Sequence, residues 1–381
     1  MTVACNKTDA QGSGDSSSNR MRWQQNRTAM AERQSQECAR IQRLNNVVDI
    51  SSEETIRKNV AEIARIAFPS CDTSKLSYKV LTGGLTNKLF LCEYSPSGPK
   101  FLCRIYGEKT EQFIDREAEI QNMHFLYSHG MGPRVHCTFR NGVCYDFFPG
   151  QTFDLEMATN PKYSFKIAEH MARMHTIPLL PSHGEKARIE SMLDHYLSLV
   201  PLETIQSAEK RLEVEFKCVD LRHEVSSNKK VLRTMESAVV FCHNDLLPKN
   251  ILLGNNDEIY FIDYEYASSN YQAFDIGNYF TEFGGQESYD RSLYPGKDWQ
   301  LRWIRSYLTE YHRLRGTGPP SDTEIETMYI EVNKLALSSM LLWGIWALIQ
   351  AANSTIDVDF VGFAILRLGM YFYKRDEFLA L

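Results

Sequence analysis

The stretch from Val239 to Leu253, VVFCHNDLLPKNILL, limits the fold more than any other. Its ends, Val239-Val240-Phe241 and Ile251-Leu252-Leu253, are apolar runs of the length of buried strands. Between them stand His243, Asn244, Asp245, Lys249 and Asn250. An unpaired buried polar group costs roughly 1–3 kcal/mol, so a chain does not set this many between core strands without a use for them. The spacing predicts a polar loop, anchored by two short strands, that reaches out of the core. Asp245 is the candidate general base and His243 reads as a buttress of the loop. Asn250, five residues beyond Asp245, offers a neutral oxygen of the kind Mg2+ accepts. Pro248 fixes the backbone just before Lys249-Asn250.

The rest of the chain separates into three parts. Residues 1–45 are rich in Ser, Gln, Asn and Arg, with seven Lys or Arg against four Asp or Glu, and predict a disordered, mildly basic tail. Residues 46–149 predict a small lobe. A helix over 52–68 starts at Ser52, and strands follow at 77–81, 88–94 and 100–106. A helix over 110–130 comes next, then a hairpin at Asn141-Gly142 within 134–148. Residues 150–381 are mainly helical, with helices expected over 161–177, 187–200, 298–314, beyond 321 and over 335–350, and one more strand over 258–266. The fold class expected is α+β, with a small antiparallel sheet followed by a larger helical lobe.

A small sheet carrying a Gly-rich hairpin, followed by a helical half with a polar loop, is the layout of a two-lobed, protein-kinase-like phosphotransferase. Phosphoryl transfer asks for held phosphates, placed metal ions and a base near the attacking hydroxyl. Asp263, at the end of the strand run EIYFIDYEY, is the second metal ligand expected beside Asn250. The nucleotide is expected at Gly83, Gly84, Thr86 and Asn87 of TGGLTN, where glycine lets backbone N–H groups approach phosphates. Arg104, on the third strand, is the expected phosphate contact. A buried arginine wants a carboxylate; Glu119 on the next helix is the first candidate and Glu117 the second.

LTGGLTNKLF, LCRIYG, VVFCHNDLLPKNILL, FIDYEYASSNYQAFDIGNYFTEF and WGIWALIQA together resemble the choline/ethanolamine kinase family over residues 50 to 375. The sequence looks most like the ethanolamine kinase branch, to which the pair Leu246-Leu247 points. The resemblance implies phosphorylation of ethanolamine with ATP and Mg2+, on the way to phosphatidylethanolamine, with choline or both alcohols as the alternative acceptor. It implies that Asp245 is the base, that Asn250 and Asp263 hold magnesium, that Arg104 and Glu119 form the phosphate-positioning pair, and that Asp275 braces the catalytic loop. For the substrate ammonium it implies carboxylates and ring faces: Glu282, Trp343, Trp346 and Phe363, where choline-type members carry a tyrosine at the last position. Trp343 and Trp346, three apart on one helix, share a face.

Other classes fit less well. A net charge of -6 without a basic cluster speaks against nucleic acid as a partner. A catalytically silent scaffold would lack Asp245, Asn250 or Asp263, and no D-F-G or A-P-E segment supports a protein kinase. An aminoglycoside phosphotransferase would carry an acidic site in place of WGIWALIQA. Residues 335–356 hold no charge over 22 positions, but Ser338, Ser339, Gln350 and Asn353 among them favour a buried helix, so no stable membrane insertion is expected. Nine scattered cysteines without a C-x-x-C pair, and no secretory leader at the start of the sequence, point to reduced thiols and the cytoplasm. The expected partner is a small-molecule substrate, and a homodimer is left open.

Overall fold

The computed structural model describes residues 41–381 apart from 71, 82–86, 95–97, 108–109, 111–113, 286–289 and 355. Gly83, Gly84 and Thr86 therefore lie outside the described residues, as does the expected tail up to residue 40.

The first part holds β1 (Gln42–Leu44), α1 (Glu53–Ala67), β2 (Ser77–Leu81), β3 (Lys88–Glu93), β4 (Lys100–Ile105), α2 (Arg116–Ser128), β5 (Val135–Phe139) and β6 (Gly142–Asp146). The strands form one six-stranded sheet in the order β1-β5-β6-β4-β3-β2. Helix α1 begins where expected, with the Ser52 hydroxyl accepting from the Thr55 amide at 3.1 Å. Its Val60, Ile63 and Ala64 pack on Phe90, Phe101, Cys103, Cys137 and Phe139 of the sheet. At the hairpin, a Cβ on Gly142 would lie 2.2 Å from the Arg104 carbonyl oxygen, so only glycine fits.

Three expectations need correction here. The tail does not extend to residue 45: β1 pairs with β5, and in parallel, so the sheet is not wholly antiparallel. Ile41 and Val48 are buried on either side of that strand, an anchor too short to register within a polar stretch. Helix α2 starts at Arg116 rather than 110, because the Asp115 side chain caps it by accepting from the Glu117 and Ala118 amides.

The second part holds β7 (Gln151–Thr152), α3 (Leu155–Thr159), α4 (Pro161–Thr176), α5 (Ile189–Leu199), α6 (Leu202–Leu212), α7 (Leu221–Leu232), β8 (Val239–Cys242), β9 (Ile251–Leu253), β10 (Ile259–Phe261), β11 (Ser268–Tyr271), α8 (Gln272–Thr281), α9 (Lys297–Arg315), α10 (Asp322–Asn353) and α11 (Phe360–Leu379). The strands make two small sheets, β10-β9-β7 and β11-β8. The strand expected over 258–266 ends at Phe261, because Asp263 takes a φ of +68°, which no strand continues. The two helices expected beyond 321 and over 335–350 are one helix, α10, long and apolar enough to cross a membrane. Its most apolar 18 residues are 89% buried inside the protein instead. Helices α8 and α10 touch backbone to backbone at Gly277, where a Cβ would stand 2.7 Å from the Val332 carbonyl oxygen and 2.9 Å from the Ala336 nitrogen. Cys92, Cys103, Cys137, Cys144 and Cys242 are buried free thiols.

Candidate active site

The polar loop runs from the end of β8 to the start of β9, as its apolar flanks require. Strand β9 pairs with β10 in a register that sets Ile251 opposite Phe261. One step further, the Ile262 amide donates to the Asn250 carbonyl at 2.9 Å. Pairing two short strands thus brings Asn250, from one loop, beside Asp263, from another. The Asn250 side-chain amide donates to the Asp245 carbonyl at 2.9 Å and to its carboxylate Oδ2 at 3.3 Å. With that nitrogen committed to Asp245, the oxygen is the end of Asn250 suited to a cation.

The loop is braced from below. The Asp275 carboxylate on α8 accepts from the His243 and Asn244 amides, each at 2.7 Å, and meets His175 Nε2 at 3.0 Å. Asn244 sits at φ +67°, a left-handed conformation that asparagine tolerates, and its side chain donates to the Tyr266 carbonyl and the Ser268 hydroxyl. His243 is fully buried with Nε2 against the Ile262 carbonyl at 3.0 Å, and burial holds its pKa below the usual imidazole range. A ring fixed in this way braces the loop. Replacing Asp275 with Ala is expected to cost about 3–5 kcal/mol of stability, because two buried amides lose their acceptor together. Chemical unfolding measures this; a loss below roughly 1 kcal/mol would mean that the loop is held by other contacts.

Beside the loop lies a charged network. Arg104 on β4 is buried, donates to Glu119 and reaches Asp263 Oδ1 at 2.9 Å. Glu119 is therefore the partner of Arg104, while Glu117 turns outward to Arg43. Asn87, from the end of the Gly-rich hairpin, accepts from the Gly107 amide at 3.3 Å and donates to Glu265 at 3.3 Å. The carboxylate oxygens of Glu119, Asp263 and Glu265 lie within 4.8 Å of one another. Three hard oxygen donors this close suit Mg2+, with Asn250 alongside. Burial, then the charges of Asp263 and Glu119, lift the Glu265 carboxyl to about 7 against the pull of Arg116 and Arg104. Asp245 is likewise held above the ordinary carboxylate range by desolvation and by Glu282, Asp263 and Glu265, with Arg367 opposing. Sequence reasoning did not pick out Glu265 or Arg116; the repeated acid in D-Y-E was the available signal for the first.

The expected ammonium contacts fall on three helices. Trp343 and Trp346 of α10 lie 5.9 Å apart at 75°. Trp343 donates to Asn278 on α8 at 2.8 Å and meets the Tyr266 ring edge-to-face at 5.1 Å. Trp346 donates to the Tyr266 hydroxyl at 3.0 Å. Glu282 is buried against Arg367 of α11, at 2.8 and 2.9 Å, and the same guanidinium lies over the Phe363 ring at 5.0 Å. Glu282 and Phe363 are thus brought together, but by an arginine that the sequence reading left out.

An aspartate on a braced loop, an Asn–Asp pair from neighbouring loops and a buried Arg–Glu pair between sheet and helix have the makings of a phosphotransferase site. The sequence pattern of the choline/ethanolamine kinases matches residues 78–372, most of the chain and every residue of the network. The chain belongs to the choline/ethanolamine kinase family. It is 38% identical to ethanolamine kinase 1 of Mus musculus over 346 residues, 90% of this chain and 95% of that one. It is 39% identical to a probable ethanolamine kinase of Nematostella vectensis over 322 residues, 82% of this chain and 91% of that one. Among solved structures it is similar to an ethanolamine kinase of Plasmodium vivax, with a TM-score of 0.72 and 25% identity, over 90% of this chain and 93% of that one. The kinase therefore has the two-lobed, protein-kinase-like architecture expected from its sequence.

Proposed function

We propose that this kinase transfers the γ-phosphoryl group of ATP to the hydroxyl of ethanolamine, giving phosphoethanolamine and ADP, the entry step towards phosphatidylethanolamine. The observation that carries the reading is the β9–β10 register, which gathers Asp245, Asn250 and Asp263 at one place. The hydroxyl oxygen of ethanolamine forms the new bond to the γ-phosphorus while the bond to the bridging β,γ-oxygen breaks. The hydroxyl proton passes to Asp245. Arg104, aimed by Glu119, holds the phosphates, and Asn250 and Asp263 would hold magnesium. Bound Mg2+ neutralises charge on the phosphoryl oxygens. Asn87 and the glycines before it serve the nucleotide.

The ammonium end is assigned to the ring faces of Trp343 and Trp346, each worth about 0.5–2 kcal/mol. Glu282 adds a carboxylate. A carboxylate has about four acceptor positions. A primary ammonium brings N–H donors that use such acceptors; trimethylammonium brings none. The buried thiols suit a reducing compartment, and the cytoplasm is the place proposed for the enzyme.

Purified protein with ATP and Mg2+ tests the acceptor. Ethanolamine is expected to exceed choline in kcat/KM by about tenfold or more, since acceptors left unpaired by the methylated head discriminate against it. A higher kcat/KM for choline would reverse the assignment.

A further inference from the structure

We infer that Arg116 is a positioning residue of the nucleotide site, joining the end of the Gly-rich hairpin, helix α2 and the D-Y-E segment through one guanidinium. The inference rests on the kinase reading above and adds a residue to it.

Four side-chain hydrogen bonds carry it. Arg116 Nη1 donates to Glu119 Oε2 at 2.9 Å and to Glu265 Oε2 at 3.0 Å. Its Nη2 donates to Thr110 Oγ1 at 2.7 Å and to Asn87 Oδ1 at 3.4 Å. The guanidinium also stacks over the Tyr106 ring at 4.2 Å. Its partners span 87 to 265 in sequence, and the side chain is only 15% exposed.

Helix stability does not explain the residue. Arg116 is the first residue of α2, where the helix dipole disfavours a cation by about 0.3–1 kcal/mol. What favours it there is the charge it faces. Two guanidiniums, Arg104 and Arg116, stand against the three carboxyl groups of Glu119, Asp263 and Glu265. Without Arg116, one guanidinium faces the same three, in a site that must take a polyphosphate. Lysine would restore the charge but, as a compact point charge, not the planar fork that spans these acceptors. Asn122 adds a second tie between α2 and the same segment, donating to the Ala267 carbonyl at 2.7 Å. The tie does not involve Arg116, so the fold has support when the arginine is removed.

The test measures MgATP affinity by calorimetry with no acceptor present, so a wrong choice of alcohol does not affect it. Arg116→Ala in the full chain is expected to weaken MgATP binding by about 10- to 100-fold, the range of a lost charge-assisted hydrogen bond. Arg116→Lys is expected to regain only a small part, and methylguanidinium added to the Ala variant to regain more than ammonium does. The KM for ethanolamine should move by less than about twofold, because the binding lost is uniform for the nucleotide alone. An Ala variant that binds MgATP within about twofold of wild type overturns the proposal. So does a loss shared equally by nucleotide and ethanolamine, which marks general loosening. Should the Ala variant not fold, Arg116→Lys decides: wild-type MgATP affinity in that variant also overturns the proposal.

Discussion

Asp245→Asn is expected to lower kcat by roughly 10^2- to 10^4-fold, the span of a lost general base, while MgATP still binds. The substitution is nearly isosteric, and the main-chain bond from Asn250 to residue 245, at 2.9 Å, survives it. Only the acceptor for the substrate proton goes. The unfolding midpoint should hold or rise, because burial, and then the charges of Glu282, Asp263 and Glu265, disfavour the ionised Asp245, and its neutralisation relieves that cost. Active sites commonly hold such stability in reserve against function. Steady-state turnover alongside thermal unfolding checks both parts. Wild-type-like turnover would take Asp245 out of the base role.

Asp263→Ala is expected to raise the magnesium concentration needed for half-maximal activity by about tenfold or more, since a hard dication depends on ionised oxygen donors. Nucleotide binding should fail chiefly in the presence of the metal. The variant also deprives Arg104 of one of its two carboxylates, leaving Glu119. Asp263→Asn separates the effects: it keeps a hydrogen-bond acceptor for Arg104 and loses the charge. A magnesium titration unchanged in both variants would reject Asp263 as a ligand.

What could be read from the sequence was local. Asp245 and Asn250 stand five apart in one polar gap, and the Asp263 run follows one turn later, so the two loops that meet in the structure were legible as written. Trp343 and Trp346 share a helical face within a single turn. What escaped was pairing across distance. Arg367 meets Glu282 from 85 positions away, and His175 meets Asp275 from 100. No periodicity carries such information. The β1 strand was hidden for a related reason: three residues whose pairing is parallel and remote leave no turn beside them. Leu246, which with Leu247 points to the ethanolamine kinase branch, proves to have no exposed surface, while Leu247 is half-buried. The apolar pair therefore anchors the loop from within, and its first residue fills the core beneath Asp245.

The contact at Gly277 has a consequence for how such an enzyme changes over time. Asp275 and Asn278 lie on one helix, Trp343 and Trp346 on the other, and the two backbones meet with no side chain between them at Gly277. The brace of the polar loop and the two tryptophans thereby share a common chassis. Phe363 and Arg367 stand on the separate helix α11, so that helix can vary in sequence while the contact at Gly277 stays closed.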